Sequence, residues 1–408
     1  MRSAVFGAVL FLFLSFTPLP VGAQGWPAVF DPFRLLTLNL EIDPADWDTI
    51  RRDITNVIEV PAQLWADGEA PILVSVRRKS SRALPSETNP IKVGLKVDIN
   101  EYVAGQEWNG LVKLSLENGG DIHPLHEGMA WQLHELASQA GYYGPEQHAA
   151  LASWVRVNVN GEYLGLYTSV EQRDKRLLEN RGIYVKNSTW LYEIDDISAW
   201  ALEVGNPHSP TFGALCYKPF AVGGRGKSSA CATPGDAALE TQLESLVEMG
   251  GMLTQGAVDA FTDNPDALFS HGKNFKFADF AHGGLERRYY PWDLDAVFRV
   301  TTSSIYGTES RRGVKQTDYE RILLDHPTYR AEYNAIVTNL FSVGGPLSES
   351  EQHAFLDALE PVLAPAIADD PYLGDSAGAF AALERWISTR IANVLAQAAA
   401  NGPPPPRD

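Results

Sequence analysis

Alternating apolar and polar residues dominate the first half of the chain. In three runs, Leu, Val or Ile occupies every second position: 35–42, 72–78 and 93–99. This period of two predicts β-strands that bury one face. Residues 153–171 hold two further runs around Asn160-Gly161. Because this dipeptide favours the tight turns of hairpins, we predict that the two runs form a β-hairpin.

Helical spacing appears between these strands and throughout the second half. Residues 123–141 place apolar side chains on one face, which predicts a helix that ends at Gly141. Similar stretches predict further helices at about 237–254, 317–342, 349–367 and 377–400. One pair of short strands, 273–280 and 287–298, interrupts these helices.

Together the patterns predict an α+β fold with two lobes. An antiparallel-sheet lobe with one helix would occupy 24–172, and a mainly helical lobe with a single hairpin would occupy 173–400. Residues 204–236 are rich in Gly, Pro, Ser and Ala and are interpreted as a loop insertion, and 401–408 as a disordered tail. Ligand sites often lie in the cleft between two such lobes.

The first 23 residues have the pattern of a secretory signal peptide. Arg2 precedes an apolar run that ends near Phe16, and small residues precede a predicted cleavage after Ala23. The run is too short for a permanent transmembrane helix. We therefore expect a secreted, periplasmic or cell-envelope protein without a membrane anchor. In that oxidising compartment we also expect a disulfide between Cys216 and Cys231.

The charge balance narrows the range of partners. The chain has 51 acidic and 33 basic residues, a formal net charge of −18 at pH 7. Such a surface repels nucleic acid and anionic lipid and suits divalent cations. We therefore expect no nucleic-acid partner.

The most distinctive candidate chemistry lies in the segment YPWDLDAVF at 290–298. Asp293 and Asp295 are two residues apart, so on an extended chain both carboxylates face the same way. Two close negative charges among apolar neighbours favour a bound proton or cation, and Mg²⁺ or Mn²⁺ would fit oxygen ligands. An acidic surface turn is equally compatible with this spacing.

The segment just upstream, 264–277, supplies Asp266, His271, Lys273 and Asn274. An Asp and an Asn ahead of a hairpin that ends in acidic residues resemble the base and metal ligands of a phosphoryl-transfer site. An ordinary polar loop is the alternative interpretation.

Basic residues of the first half are candidates for binding an anion. Lys96 lies on the polar face of its predicted strand, where it faces either a cleft, Asp98 or solvent. Glu127, in the following helix, is a candidate partner that would orient this lysine. Residues 77–82 (RRKSSR) group four positive charges and two hydroxyls, an arrangement that suits phosphate or a solvated turn.

In this combination and order, the segments resemble the spore-coat CotH kinase family. The most distinctive blocks are NGEYLGLYTSVE (160–171) and PWDLD (291–295). The other matching blocks are DPADWDTIRRD (43–53), VSVRRKSSR (74–82), VGLKVDINEYVAGQEWNGLVKLSLEN (93–118), GIYVKN (182–187) and NPDALFSHGKNFKF (264–277). The resemblance covers nearly all of the chain after the signal peptide.

This resemblance implies a secreted, atypical protein kinase with a bilobal kinase-like fold. Such an enzyme would bind ATP and Mg²⁺ or Mn²⁺ and phosphorylate Ser or Thr of envelope or coat proteins. The implied catalytic residues are Asp266, Lys96 and Glu127; the nucleotide contacts are Lys96, Arg78, Glu171 and Lys186; the metal ligands are Asn274, Asp293 and Asp295. Lys92 is the alternative to Lys96 as the nucleotide lysine.

A kinase-like fold without catalysis, serving as a coat protein, adhesin or scaffold, is the alternative function. Ser80 stands where the family usually has glycine, which makes the phosphate-facing turn different. The intact set of Asp266, Asn274, Asp293 and Asp295 nevertheless favours an active phosphotransferase, because a decayed site more often lacks one such residue.

Overall fold

The computed structural model describes most of the chain between residues 25 and 400. The described ranges are 25–66, 68–79, 92–119, 123–144, 149–196, 199–205, 209–211, 241, 243–270, 272–306, 323–324, 326–373 and 378–400. The predicted signal peptide, the cysteine pair, most of the loop insertion and the tail lie outside these ranges, as do Ser80, Ser81, Arg82 and His271.

Seven strands of the first half close into a barrel in the order β1-β2-β3-β4-β5-β7-β6. The strands are β1 Leu36–Ile42, β2 Glu59–Ala66, β3 Ile72–Lys79, β4 Gly94–Asp98, β5 Lys113–Glu117, β6 Ala152–Val159 and β7 Glu162–Glu171. Neighbouring strands are antiparallel except β1 and β6, which pair in parallel with Leu38 opposite Val157. The predicted antiparallel sheet is therefore a closed barrel of mixed pairing.

The apolar positions predicted from the alternating pattern fill the barrel. Leu38, Val74, Val76, Leu95 and Val97 are completely buried in one cluster. Because side chains on a strand alternate between its faces, the polar residues of β3, β4 and β5 point outward. The barrel therefore presents a polar outer face, formed by these three strands, to the rest of the protein.

The predicted turn at Asn160-Gly161 is confirmed and also helps to close the barrel. Asn160 and Gly161 adopt φ values of 53° and 82°, a conformation that Asn tolerates and Gly adopts freely. The Asn160 N–H donates to the Leu40 carbonyl at 2.9 Å. The Ile42 N–H donates to Asn160 Oδ1 at 2.8 Å. The turn is thus bonded to the end of β1.

A second antiparallel sheet has the strand order β11-β10-β8-β9. Its strands are β8 Thr189–Asp196, β9 Ala199–Val204, β10 Phe275–Phe280 and β11 Glu286–Pro291. The prediction of a single hairpin in the second half is therefore wrong, although its β10–β11 pair is present. All six residues of β10 are buried. Strands covered on both faces do not alternate, so the period-two signal weakens in this sheet.

The helices frame the two sheets. They are α1 Pro44–Arg52, α2 Pro124–Gln139, α3 Lys175–Asn180, α4 Met249–Phe261, α5 Pro327–Phe341, α6 Glu349–Asp369 and α7 Ala379–Ala400. Residues 241, 243–246 and 323–324 are helical as well, so the helices predicted at 237–254 and 317–342 are interrupted at 247–248 and at His326. Glu248 caps α4, where its side chain accepts from the Gly251 N–H, and His326 caps α5 ahead of Pro327. These caps set the starts of α4 and α5.

Helix α2 lies between the barrel and the second half. A Cβ on Gly128 would stand 2.3 Å from the Trp154 ring, so glycine permits the close approach of α2 to β6. Trp154 Nε1 donates to the Pro124 carbonyl at 3.0 Å. On α2, Trp131 also meets Trp292, with ring centroids 6.2 Å apart. Residues of α2 therefore contact both halves of the chain.

Candidate functional site

The polar outer face of the barrel brings Lys79 to an acidic cluster. Arg77 on β3 lies opposite Lys96 on β4, which lies opposite Ser115 on β5. Lys79 lies on the same face and its ammonium contacts the Glu117 carboxylate. Ser115 Oγ donates to Glu117 Oε1 at 2.9 Å. The hydroxyl thus helps to orient the carboxylate that pairs with Lys79.

The β10–β11 hairpin brings Asn274 and Asp293 together. Phe275 pairs with Pro291, so the residues just outside this pair lie at the same end of the hairpin. Asn274 Nδ2 donates to Asp293 Oδ2 at 3.0 Å. Both residues have positive φ, 54° and 56°, which is uncommon outside glycine and often found at functional sites.

The Asp293 carboxyl lies in a strongly negative environment. Burial, and then the neighbouring Asp295 carboxylate, raise the pKa of Asp293 to about 7, while Lys79 acts in the opposite direction. Asp266 also contributes to the rise. The charges of the three aspartates therefore interact with one another.

Glu127, on the first turn of α2, faces the same cluster. It is 1% exposed, and its Oε2 has no hydrogen-bond partner in the described part of the chain. Burial and Glu117 raise its pKa well above the ordinary value, and Lys79 opposes them. Conversely, burial would lower the pKa of the Lys79 ammonium, but Glu117, Asp293 and Glu127 outweigh burial and raise it. Lys79 thus interacts with both Glu127 and Asp293.

Lys96 has different surroundings from those expected. Burial, and then the neighbouring cations Arg77, Lys113, Lys276 and Lys79, together lower its pKa to about 8. Lys113 instead pairs with Asp98, at 2.9 Å. No side-chain hydrogen bond or ion pair joins the Lys96 ammonium to any residue that the structure describes. Lys96 therefore lies in a positively charged patch whose other members, Arg77, Lys79, Lys113 and Lys276, each pair with a carboxylate, and it does not bond to Glu127.

Lys92, the alternative candidate for the nucleotide lysine, is bonded to residues outside the acidic cluster. Its Nζ pairs with Asp370 Oδ2 at 2.9 Å and also donates to the Leu166 carbonyl. Its side chain and that of Asp370 are both buried. A lysine held by a buried carboxylate and a carbonyl is not available to bind phosphate without breaking these bonds.

Arg78 does not join this cluster. It lies between Arg77 and Lys79 on β3, so its side chain points to the opposite face of the strand. Arg78 Nη1 donates to the Arg51 carbonyl at the end of α1, at 2.6 Å. Among the described members of the basic run, Arg77, Arg78 and Lys79, it is therefore Lys79 that reaches the acidic cluster.

The Glu171 side chain forms a buried network. Its carboxylate pairs with Arg181 at 2.7 Å and accepts from Trp26 Nε1 at 2.9 Å and from the Leu151 N–H at 3.1 Å. These partners occupy both carboxylate oxygens. Any nucleotide contact of Glu171 would therefore involve its main chain.

Lys186, which the family resemblance implied as a nucleotide contact, is exposed and lies in a turn before β8. Its position provides no contact with the acidic cluster among the described residues. The prediction that it contacts the nucleotide therefore gains no support from its position.

Asp266 lies in the segment between α4 and β10. Its Oδ2 pairs with Lys273 Nζ at 2.8 Å. The Asp266 N–H donates to Asn264 Oδ1 at 3.0 Å, which forms a tight turn around Pro265. The carboxylate therefore has a defined orientation close to the Asp293 charge.

Sequence reasoning missed two further residues at the site. Trp292 has the ammonium groups of both Lys79 and Lys276 over its ring, each 4.9 Å from the centroid. Lys276 is completely buried and donates to both oxygens of Glu203. For Lys79, the sequence did contain a signal in the alternation of β3. Val74 and Val76 point into the barrel, so Lys79 points outward. No comparable signal pointed to Lys276 on the fully buried strand β10.

The donor set fits a hard divalent cation. Asn274, Asp293 and Asp295 offer the amide and carboxylate oxygens that Mg²⁺ or Mn²⁺ prefers. The orphaned oxygen of buried Glu127 and the raised pKa of Asp293 both indicate excess negative charge, which a cation would offset. Across the described ranges, no three His, Cys, Asp or Glu side chains are grouped to hold a metal ion, so an amide would have to complete the set.

Comparison with protein families agrees with this geometry. The model of the CotH kinase protein family matches residues 86–394, most of the chain. The chain belongs to the CotH kinase family. The match includes the segment that carries Asp266 and Asn274 and the segment that carries Asp293 and Asp295.

Two further findings concern this member of the CotH kinase family. No curated protein matches it. In the part of the chain that the structure describes, no helix combines the length and apolar composition needed to cross a bilayer.

Proposed function

We propose that this chain is a kinase-like, two-lobed enzyme that transfers phosphate from ATP to Ser or Thr of envelope or coat proteins and requires Mg²⁺ or Mn²⁺. The observation that carries the proposal is one cluster of interacting charged and polar side chains. Its members are Lys79, Glu127, Asn274, Asp293 and Asp295. Membership of the CotH kinase family supports the same reaction class.

In this proposal Lys79 binds the nucleotide phosphates. Glu117 and Glu127 orient its ammonium, as a carboxylate partner orients the nucleotide lysine in other kinases. The positively charged patch around Lys96 adds a second contact for the triphosphate. This assignment replaces Lys96 with Lys79 as the partner of Glu127 and leaves Lys92 a structural role.

The divalent cation would be held by Asn274, Asp293 and Asp295. When bound, it would neutralise negative charge on the phosphates. The Asn274 amide already donates to Asp293, so the hairpin positions this carboxylate. Lys79 approaches the same carboxylate from the barrel side.

Asp266 orients the acceptor hydroxyl and receives its proton. The hydroxyl oxygen attacks the γ-phosphorus, the bond from that phosphorus to the β–γ bridging oxygen breaks, and ADP leaves. Lys273 holds the Asp266 carboxylate in place through its 2.8 Å ion pair. Positioning and charge stabilisation are the main sources of rate in such a transfer.

Residues 1–23 would direct this enzyme out of the cytoplasm, where Cys216 and Cys231 would form the disulfide. The acceptor proteins would then be those of the cell envelope or coat. Export also requires that ATP reach the enzyme outside the cytoplasm, during lysis, during coat assembly or before export is complete.

Ligand-dependent thermal unfolding tests the binding step of this proposal. ATP with Mn²⁺ should raise the Tm of the wild-type protein by several degrees, because a ligand that binds only the folded state stabilises it. Lys79→Met should abolish this rise. Lys175→Met, at an exposed lysine that pairs with Glu179 on α3, is the matched control and should keep it. If no nucleotide with metal shifts the wild-type Tm, the non-catalytic scaffold is favoured instead.

A further inference from the structure

The segment that carries Asp266 lies beside a small open cavity. The cavity has a volume of about 20 Å³, room for about one water molecule, and is lined by Asp259 of α4, Asn264 and Ser270 of the segment, and Ser303 of a following loop, among others. Hydrogen bonds among the polar residues of this lining hold the segment in place.

Asn264 supplies hydrogen bonds in two directions. Its Oδ1 accepts from the Asp266 N–H at 3.0 Å, and its Nδ2 donates to Asp259 Oδ1 at 3.0 Å. The Asn264 N–H also donates to the Asp259 carbonyl at 2.9 Å. Asn264 is buried, so these bonds are shielded from competing solvent. Asp259 therefore anchors the turn that presents Asp266.

His134 of α2 lies on the far side of Asp259. The His134 Nε2 to Asp259 Oδ1 distance is 3.5 Å, and His134 Nδ1 contacts the Tyr143 hydroxyl. His134 and Tyr143 are completely buried. His134 Nε2 makes no hydrogen bond in the described part of the chain, so its approach to Asp259 is a polar contact only. A chain of polar contacts thus runs from Tyr143 to Asp266, with hydrogen bonds on either side of the His134–Asp259 contact.

This chain of contacts begins on the helix that also carries Glu127. His134 follows Glu127 by seven residues on α2, two helical turns further along. Helix α2 therefore contributes a partner of Lys79 at one end and a partner of Asp259 at the other. Its position affects both the nucleotide lysine and the Asp266 turn.

We infer that Asp259 and Asn264 are positioning residues that hold Asp266 in register with Lys79 during phosphate transfer. The inference rests on the proposed kinase function. Its physical basis is the steep dependence of transfer rate on geometry, since a displacement of about 1 Å can lower a rate about 100-fold.

Steady-state phosphorylation kinetics of full-length variants test this inference. Asn264→Ala and Asp259→Ala should each lower kcat about 10- to 100-fold and change the KM for ATP less than about threefold. Asp259→Asn keeps an acceptor for Asn264 and should restore kcat to within about threefold of wild type. Gln352→Ala, which removes a buried amide that donates to the Leu347 carbonyl, is the control and should keep kcat.

The outcomes separate the inference from the proposed function. If wild type transfers phosphate and both Asn264→Ala and Asp259→Ala keep its kcat, the inference is wrong and the proposed function stands. The same conclusion follows if Gln352→Ala loses as much kcat as these two variants. Absence of transfer by wild type would overturn the proposed function and the inference with it. If Asp259→Ala does not fold, Asn264→Ser replaces it, because serine keeps an acceptor for the Asp266 N–H and loses the donor to Asp259. A wild-type kcat in Asn264→Ser would then overturn the role of Asp259.

Discussion

Lys92 and Asp370 form a buried ion pair, 2.9 Å between Nζ and Oδ2, that joins the barrel to the end of α6. The same Asp370 oxygen accepts from the Leu166 N–H at 2.7 Å, which extends the link to β7. Gly165 has φ of 134°, and a Cβ there would stand 2.6 Å from this oxygen, so glycine permits the approach. The pair therefore connects residues far apart in sequence, and it keeps the Lys92 ammonium bound within the fold.

Removal of Asp370 should destabilise the protein strongly. Asp370→Ala leaves the buried Lys92 ammonium without its carboxylate, and breaking one partner of a buried pair costs about 3–5 kcal/mol. Asp369→Ala is the matched control, because the side chain of Asp369 is 61% exposed and its pair with Arg156 should contribute at most about 1 kcal/mol. Urea unfolding of both variants measures the difference. Equal losses would show that the Lys92–Asp370 pair has no special role.

Replacement of Lys96 should have opposite effects on stability and on nucleotide binding. The folded-state pKa of about 8 lies below the ordinary 10.5, so the charged lysine is penalised in the fold at pH 7 and stability rises as the pH increases from about 8 to 10.5. Lys96→Met should raise the Tm of the nucleotide-free protein at pH 7 by about 2–4 °C. It should weaken ATP binding about tenfold, as loss of one charge-assisted contact would.

Lys113→Met is the control for this experiment. Lys113 has a carboxylate partner in Asp98, so its loss should not raise the Tm. Thermal unfolding and calorimetric titration with ATP and metal measure both effects. A lower Tm in Lys96→Met would contradict the charge repulsion deduced for this patch.

Glu135 of α2 should make stability depend on pH. Burial is the main cause that raises its pKa to about 7, Glu171 adds to it, and Gln139 and Arg181 oppose it. Because the folded state holds the proton more tightly than the unfolded chain, stability falls as the pH rises from about 4.5 to about 7. Glu135→Gln should therefore stabilise the protein at pH 8 by about 1–2 kcal/mol and have little effect below pH 4.5.

Urea unfolding at several pH values measures this effect. Glu332→Gln, at an exposed position on α5, controls for the loss of one negative charge. A gain in Glu135→Gln that is the same at pH 5 and pH 8 would contradict an origin in the raised pKa.

The local patterns predicted much of the fold. The alternation around Leu38 and Val74 and the Asn160-Gly161 turn located strands and a hairpin that the structure confirms, because both signals are local. The parallel pairing of β1 with β6 was not predictable from them. It joins segments more than one hundred residues apart, and no periodicity specifies such a partner.

The neighbours of the candidate site divide in the same way. Asn274 and Asp293 flank one predicted hairpin, and the structure brings them within 3.0 Å. The prediction of Lys96, with Lys92 as its alternative, did not consider Lys79, although the alternation of Val74 and Val76 indicates that Lys79 lies on the outward face of β3. The Lys92–Asp370 pair and the Glu171–Arg181 pair depend on long-range packing, which sequence patterns do not report.

Transfer of labelled γ-phosphate tests the central claim most directly. Wild-type protein with ATP and Mn²⁺ or Mg²⁺ should label Ser or Thr of envelope or coat proteins, and Asp293→Asn should reduce labelling at least about 100-fold, because it removes a proposed metal ligand. Asp369→Asn, at an exposed carboxylate, should label as wild type does. Equal labelling by wild type and Asp293→Asn, or no labelling by any of the three proteins, would contradict the account.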